Sequence, residues 1–194
     1  IYGVTNLGLA FAAEASSGDV RWMSGYEVIP LPRTQLRGQE SRPVFYANNP
    51  PAVVDGVMVC TPLDSRAVVA FDTDTGARLW QLECTTRRPG GDAYWILGVL
   101  GDEVVMAGDS ITGVTVQPTG TGSRPSVRTF GSQAELTELN GGRRYRARIL
   151  GCGTVAGDKI FYPFVGGVTA FDRRGERATT SPLPFPQGGG NLLL

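Results

Sequence analysis

The chain has no histidine. That removes His-based catalytic triads, imidazole metal ligands and the c-type haem attachment signature. It has three cysteines, Cys60, Cys84 and Cys152, with no adjacent pair and no metal-site spacing. An odd count leaves at least one thiol unpaired. Cys60 sits in an apolar stretch and reads as a buried thiol, whereas Cys84 and Cys152 would pair only if their segments adjoin. Net charge is also lacking, with 18 basic and 18 acidic residues. This balance argues against a general nucleic-acid or membrane-surface role. No apolar run approaches the roughly 18 residues of a membrane-spanning helix, and no secretory leader pattern is seen. What the chain has in quantity is turn chemistry, with 27 Gly and 13 Pro in 194 residues. The length suggests one domain.

Ala67 to Leu82 organises the rest, as strand, tight turn and strand. Val68–Phe71 is a continuous apolar run, expected for a strand covered on both faces. Asp72 can accept hydrogen bonds from the backbone N–H groups just after it, and Thr75 can add a hydroxyl bond. Gly76 supplies the positive φ that closes such a turn. Trp80 is the large apolar anchor of the returning strand.

The unit recurs. Glu14, Gly18 and Trp22 repeat the spacing of Asp72, Gly76 and Trp80. A third copy, with Asp172 and Gly175, is one residue shorter and lacks the Trp. A fourth, Gly113 to Gly120, is degenerate, with Gln117 in the acid's place. Three of the copies follow an apolar hairpin with an Asp/Gly turn. Those turns, near positions 55, 101 and 157, are about 46 and 56 residues apart. Strand-only repeats of this size indicate a β-propeller, one four-stranded blade per repeat.

Val-Ala-Phe-Asp-Thr-Asp-Thr-Gly-Ala-Arg-Leu-Trp, residues 69–80, resembles the repeat of pyrroloquinoline-quinone-like (PQQ-like) propellers, the quinoprotein and BamB-like group. The group includes quinoprotein alcohol dehydrogenases and a non-catalytic outer-membrane assembly factor. WD40 repeats fit less well because they carry Gly-His, and the Kelch-like Gly90-Gly91 with Tyr94 and Trp95 does not recur. The resemblance implies an all-β propeller of four-stranded antiparallel blades. About four acid–Gly turns imply about four blades, the first incomplete. Such propellers usually have seven or eight blades, so the chain is expected to be part of a larger ring, cut within blades at both ends. Ile1–Thr5 resembles the second half of a hairpin. A complete small propeller is the alternative. The blade units fall at about 1–24, 53–84, 97–120 and 151–180, with insertions at 25–52 and 121–150.

Several segments are candidates for binding. The 25–52 insertion carries Arg33, Arg37 and Arg42, and long loops on rigid scaffolds often bind. The simpler reading is a solvated loop. Tyr94 and Trp95 suit either a planar ligand or packing at the start of the next blade. Ser132 and Glu135 form a capping box for a short helix ending at Asn140-Gly-Gly. Alternation places Arg144, Arg146 and Arg148 on one strand face. They are the candidate partner-binding residues, against a simpler reading as a charged edge strand.

Quinoprotein dehydrogenases hold PQQ beside calcium, with a stacked Trp, a catalytic Asp and often a vicinal disulfide. This chain has no Cys-Cys pair. Its acids and tryptophans are accounted for by turns and packing, so no catalytic, cofactor or metal residue carries over. Two functions remain. One is a non-catalytic scaffold or protein-interaction module within a larger extracytoplasmic protein or assembly. Its expected partners are another protein or the remaining blades, and the resemblance implies a periplasmic or extracellular place in a bacterial envelope. The other is a fragment of a PQQ-dependent oxidoreductase whose active site lies elsewhere.

Overall fold

A computed structural model describes residues 1–5, 7–28, 49–62, 64–65, 67–83, 93–108, 110–117, 124–139, 153–164 and 167–182. They form four antiparallel meanders. The first sheet has three strands, β1 (Tyr2–Val4), β2 (Leu9–Ala13) and β3 (Val20–Gly25). The second has four: β4 (Ala52–Val54), β5 (Val57–Cys60), β6 (Ala67–Asp72) and β7 (Arg78–Glu83). The third comprises β8 (Ala93–Leu100), β9 (Glu103–Gly108), β10 (Ile111–Thr115) and β11 (Val127–Phe130). The fourth comprises β12 (Thr154–Ala156), β13 (Lys159–Phe164), β14 (Gly167–Phe171) and β15 (Arg177–Pro182). One short helix, α1 (Gln133–Leu139), follows β11. Two compact units result, residues 1–84 with the first two sheets and 85–194 with the other two.

Turn chemistry sets the hairpins. Asp55 and Gly56 join β4 to β5 with φ of 48° and 76°, the two positive values a type I′ turn needs. The long apolar run predicted a strand with two covered faces. Val68, Val69, Ala70 and Phe71 of β6 are all buried. Placed by its acid–Gly turn, the first sheet's β1, β2 and β3 correspond to β5, β6 and β7 of the second.

In the first unit, the core lies between its two sheets. Ala10, Ala12 and Trp22 from one meet Met58, Cys60, Val69 and Phe71 from the other. In the second unit, Leu97, Val105, Ile111 and Phe130 pack with Ile160, Tyr162, Phe164 and Phe171. Leu136 of α1 enters this core and is fully buried. The helix starts as its sequence requires. The Ser132 N–H donates to Glu135 at 2.7 Å and the Glu135 N–H to Ser132 Oγ at 3.2 Å. Both capping-box bonds are therefore made.

One boundary differs. The third sheet runs to Phe130, so β11 lies within the 121–150 span expected to be an insertion. With Gln117 in place of an acid, nothing in the pattern marks the turn from which β11 returns.

Candidate functional site

The recurring turns share one hydrogen-bond plan. In the second sheet, the Gly76 N–H donates to the Asp72 carbonyl and the Asp72 N–H to the Ala77 carbonyl, both at 2.9 Å. Asp72 Oδ1 accepts from the N–H groups of Asp74 and Thr75 and from the Thr75 hydroxyl. The Thr75 hydroxyl and N–H bonds hold the Asp72 carboxyl below its ordinary pKa. In the first sheet, the Gly18 N–H donates to Glu14 and the Glu14 N–H to Asp19. Among the described residues, the longer Glu14 side chain reaches only the Ala15 N–H. In the fourth sheet, the turn is one residue shorter. Gly175 donates to Asp172, Asp172 to Glu176, and Asp172 Oδ1 accepts from Arg174 and Glu176. A β-bulge sits just before the acid in all three, at Ala12/Ala13, Ala70/Phe71 and Ala170/Phe171. It increases the local twist as the strand enters the turn.

The tryptophans stand across from small residues, Trp22 opposite Ala12 and Trp80 opposite Ala70. Both are buried. Trp22 joins the two sheets of its unit. Its indole N–H donates to the Thr73 carbonyl at 2.8 Å, and its ring lies 6.2 Å from Phe71 and 6.3 Å from Tyr2. Ser24 donates from the same strand face to the Gly76 carbonyl. Gly76 has φ of 71°, and a Cβ there would lie 2.6 Å from the Trp22 ring. The turn thus needs glycine twice, for its backbone and for the indole it receives. In the second unit, the Asp172–Gly175 turn is met differently. The Gly131 N–H donates to the Gly175 carbonyl at 3.0 Å, and a Cβ on Gly175 would touch Phe130.

Two constellations escaped the sequence. The first is built on Asp64, buried in the second sheet's β5–β6 connection. It accepts from the Tyr26 hydroxyl at 2.7 Å and the Gly8 N–H at 2.9 Å. The Thr5 carbonyl lies within hydrogen-bond reach of the same hydroxyl, so the two acceptors share its single hydrogen. Burial first, then the bond to Asp64, raises the Tyr26 pKa. Cys60 is fully buried, and burial first, then the nearby Asp64 charge, pushes its thiol up to about 12. Tyr26 and Asp64 stand 38 positions apart and neither belongs to a repeat. The second is an ion pair crossing β10. The Arg128 guanidinium grips buried Glu103 at 2.6–2.8 Å and lies 4.3 Å from the Phe130 ring. Gly113 pairs with Arg128 across the sheet, and a Cβ there would come within 3.1 Å of the Glu103 carboxylate. A glycine inside a strand signals such close approach.

The remaining sequence candidates divide plainly. Trp95 packs on the second unit's core. Arg33, Arg37, Arg42, Cys84, Arg144, Arg146, Arg148 and Cys152, and the Tyr94 side chain, lie outside the described residues. Among the described residues, no group of three acidic or cysteine side chains is placed to hold a metal ion. Nor is any helix there long and apolar enough to cross a membrane.

These meanders, with their repeated turns and face-to-face joints, define the chain as an all-β propeller of about four blades. No protein-family model and no curated protein sequence matches it. Solved structures do. BamB from Moraxella catarrhalis is similar over 93% of this chain, with a TM-score of 0.51 and 17% sequence identity. At that identity the likeness is one of fold alone. The chain covers 45% of the BamB chain, less than half its length.

Proposed function

We propose that this chain is a non-catalytic propeller scaffold, an arc of a larger protein-interaction module in an extracytoplasmic protein or assembly. The observation that carries the reading is the occupation of the repeat residues. Trp22, Asp72, Gly76, Asp172 and Gly175 are committed to turns and sheet joints. A residue held by such bonds is positioned to build a surface rather than to turn over a substrate. The BamB-like fold supports an interaction role on rigid blades, with binding borne by connecting loops. The same likeness supports a periplasmic or extracellular location.

Absorbance and calcium content of the natural protein test the reading. The scaffold predicts a colourless protein with no stoichiometric calcium. A bound quinone chromophore accompanied by calcium would replace it with the oxidoreductase.

A further inference from the structure

We propose that Asp64 couples three chain connections at one end of the first unit, so that they open together or not at all. This coupling does not depend on whether the chain is a scaffold or part of an oxidoreductase.

In each sheet of this unit the acid–Gly turn stands at one end of the strands. At the other end, the β1–β2, β3–β4 and β5–β6 connections meet in a closed ring of hydrogen bonds. The Gly8 N–H donates to Asp64 Oδ2 at 2.9 Å, the Tyr26 N–H to the Gly8 carbonyl at 3.0 Å, and the Tyr26 hydroxyl to Asp64 Oδ1 at 2.7 Å. Each connection supplies one member. The Thr5 carbonyl, from the same connection as Gly8, also faces the Tyr26 hydroxyl. A second tie lies beside the ring. The β3–β4 connection returns at Asn49, whose side-chain amide donates to the Thr61 carbonyl at 3.3 Å and reaches the Thr61 hydroxyl. Between Thr61 and Asp64 the chain is turned by a bond from the Ser65 N–H to the Pro62 carbonyl at 3.2 Å. The β3–β4 connection is therefore held at both its roots by the connection that carries Asp64.

Burial turns these contacts into coupling. Asp64 is only 7% exposed and Thr61 only 4%. A buried carboxylate that loses a donor is left poorly solvated, which costs more than the bond itself contributes. The donors to Asp64 stand on two other connections. If the root of the β3–β4 connection lifts and takes Tyr26 with it, the Asp64 carboxylate loses a donor and the Gly8 carbonyl loses the Tyr26 N–H. Each opening thus weakens the contacts that hold the next connection. The fit at Gly8 adds to this. Its φ is 77°, and an added Cβ would lie 2.5 Å from the Val28 side chain on the same β3–β4 root.

Native-state hydrogen exchange on the natural protein tests the coupling, with the variants Tyr26→Phe and Asp64→Asn. Tyr26→Phe removes one oxygen and keeps the ring. It should raise exchange about tenfold or more in three separate stretches, at Gly8, at residues 26–28 and across residues 61–65, as expected for loss of a bond to a charged group. The amides of Val68–Phe71 in β6 should change by no more than about twofold, because they open with the sheet and not with its connections. Asp64→Asn should raise the same three stretches, since its amide offers one acceptor oxygen where the carboxylate offers two. If Asp64→Asn does not fold, Tyr26→Phe alone decides. A rise confined to the neighbours of residue 26 would overturn the coupling. So would no rise at all. An equal rise through Val68–Phe71 would also overturn it, because the ring would then only add to the stability of the whole unit.

Discussion

Trp22 performs two tasks that substitutions can separate. Its ring fills the space between two sheets, and its N–H satisfies the Thr73 carbonyl. Trp22→Phe keeps most of the ring and should cost about 1–2 kcal/mol through the lost hydrogen bond. Trp22→Ala also leaves a cavity and should cost about 3–5 kcal/mol. Urea unfolding of both variants checks the ordering: a Trp22→Phe variant as stable as the parent would mean the indole bond contributes nothing, and equal losses would mean the ring's packing contributes nothing. Arg128 offers a different contrast. Removing it strands buried Glu103, so Arg128→Ala should destabilise by about 1–3 kcal/mol. Replacing both partners by leucine should cost less than that single change, because no charge is left buried. A double variant less stable than Arg128→Ala would contradict this. Cys60 adds an alkaline prediction. Its thiol has a folded pKa raised to about 12 from an ordinary 9.0. Its contribution is complete below pH 9 and lost as the pH rises through 12. Cys60→Ala should therefore flatten the alkaline fall in unfolding midpoint, and an unchanged fall would assign it to other groups.

At the scale of elements, the acid–Gly turn was the most legible feature of the sequence. Asp72 and Thr75 make the bonds their side chains imply and Gly76 takes its positive φ, because the chemistry is local and five residues suffice to specify it. The Ser132–Glu135 helix start was legible for the same reason. β11 was not, since Gln117 breaks the local signal while the sheet still needs an outer strand to cover β10. The Tyr26–Asp64 clasp and the Arg128–Glu103 pair were hidden because each joins residues distant in sequence and unrepeated. Only Gly113, a glycine within a strand, hinted at the second. The turns also predict an acid response. Asp72 and Glu135 both have carboxyls held below their ordinary pKa, by the Thr75 bonds and by the Ser132 N–H respectively. Their stabilisation is present above the ordinary values of 3.8 and 4.5 and is lost as pH falls through the lowered ones. Asp72→Asn should reduce the acid-side loss of melting temperature, and a parallel acid limb in that variant would show that the turn does not titrate on unfolding.

For the whole molecule, repetition is what made the architecture readable. Copies of one turn at blade-sized spacing implied stacked antiparallel sheets, and a single sheet has two faces that only neighbours can cover. The first sheet shows this need directly, with an apolar face bearing Met23 and Val20 open to solvent. Function was less legible because every strong motif serves the sheets, and the basic segments around Arg33 and Arg144 have no repeat partner to define a role. The central claim is that this chain is one arc of a larger propeller. Native mass spectrometry of the natural material tests it most directly. The account predicts a species well above 20.6 kDa, the mass of this sequence, either as one longer polypeptide or as a complex with a blade-bearing partner. A lone, stable 20.6 kDa monomer would contradict it.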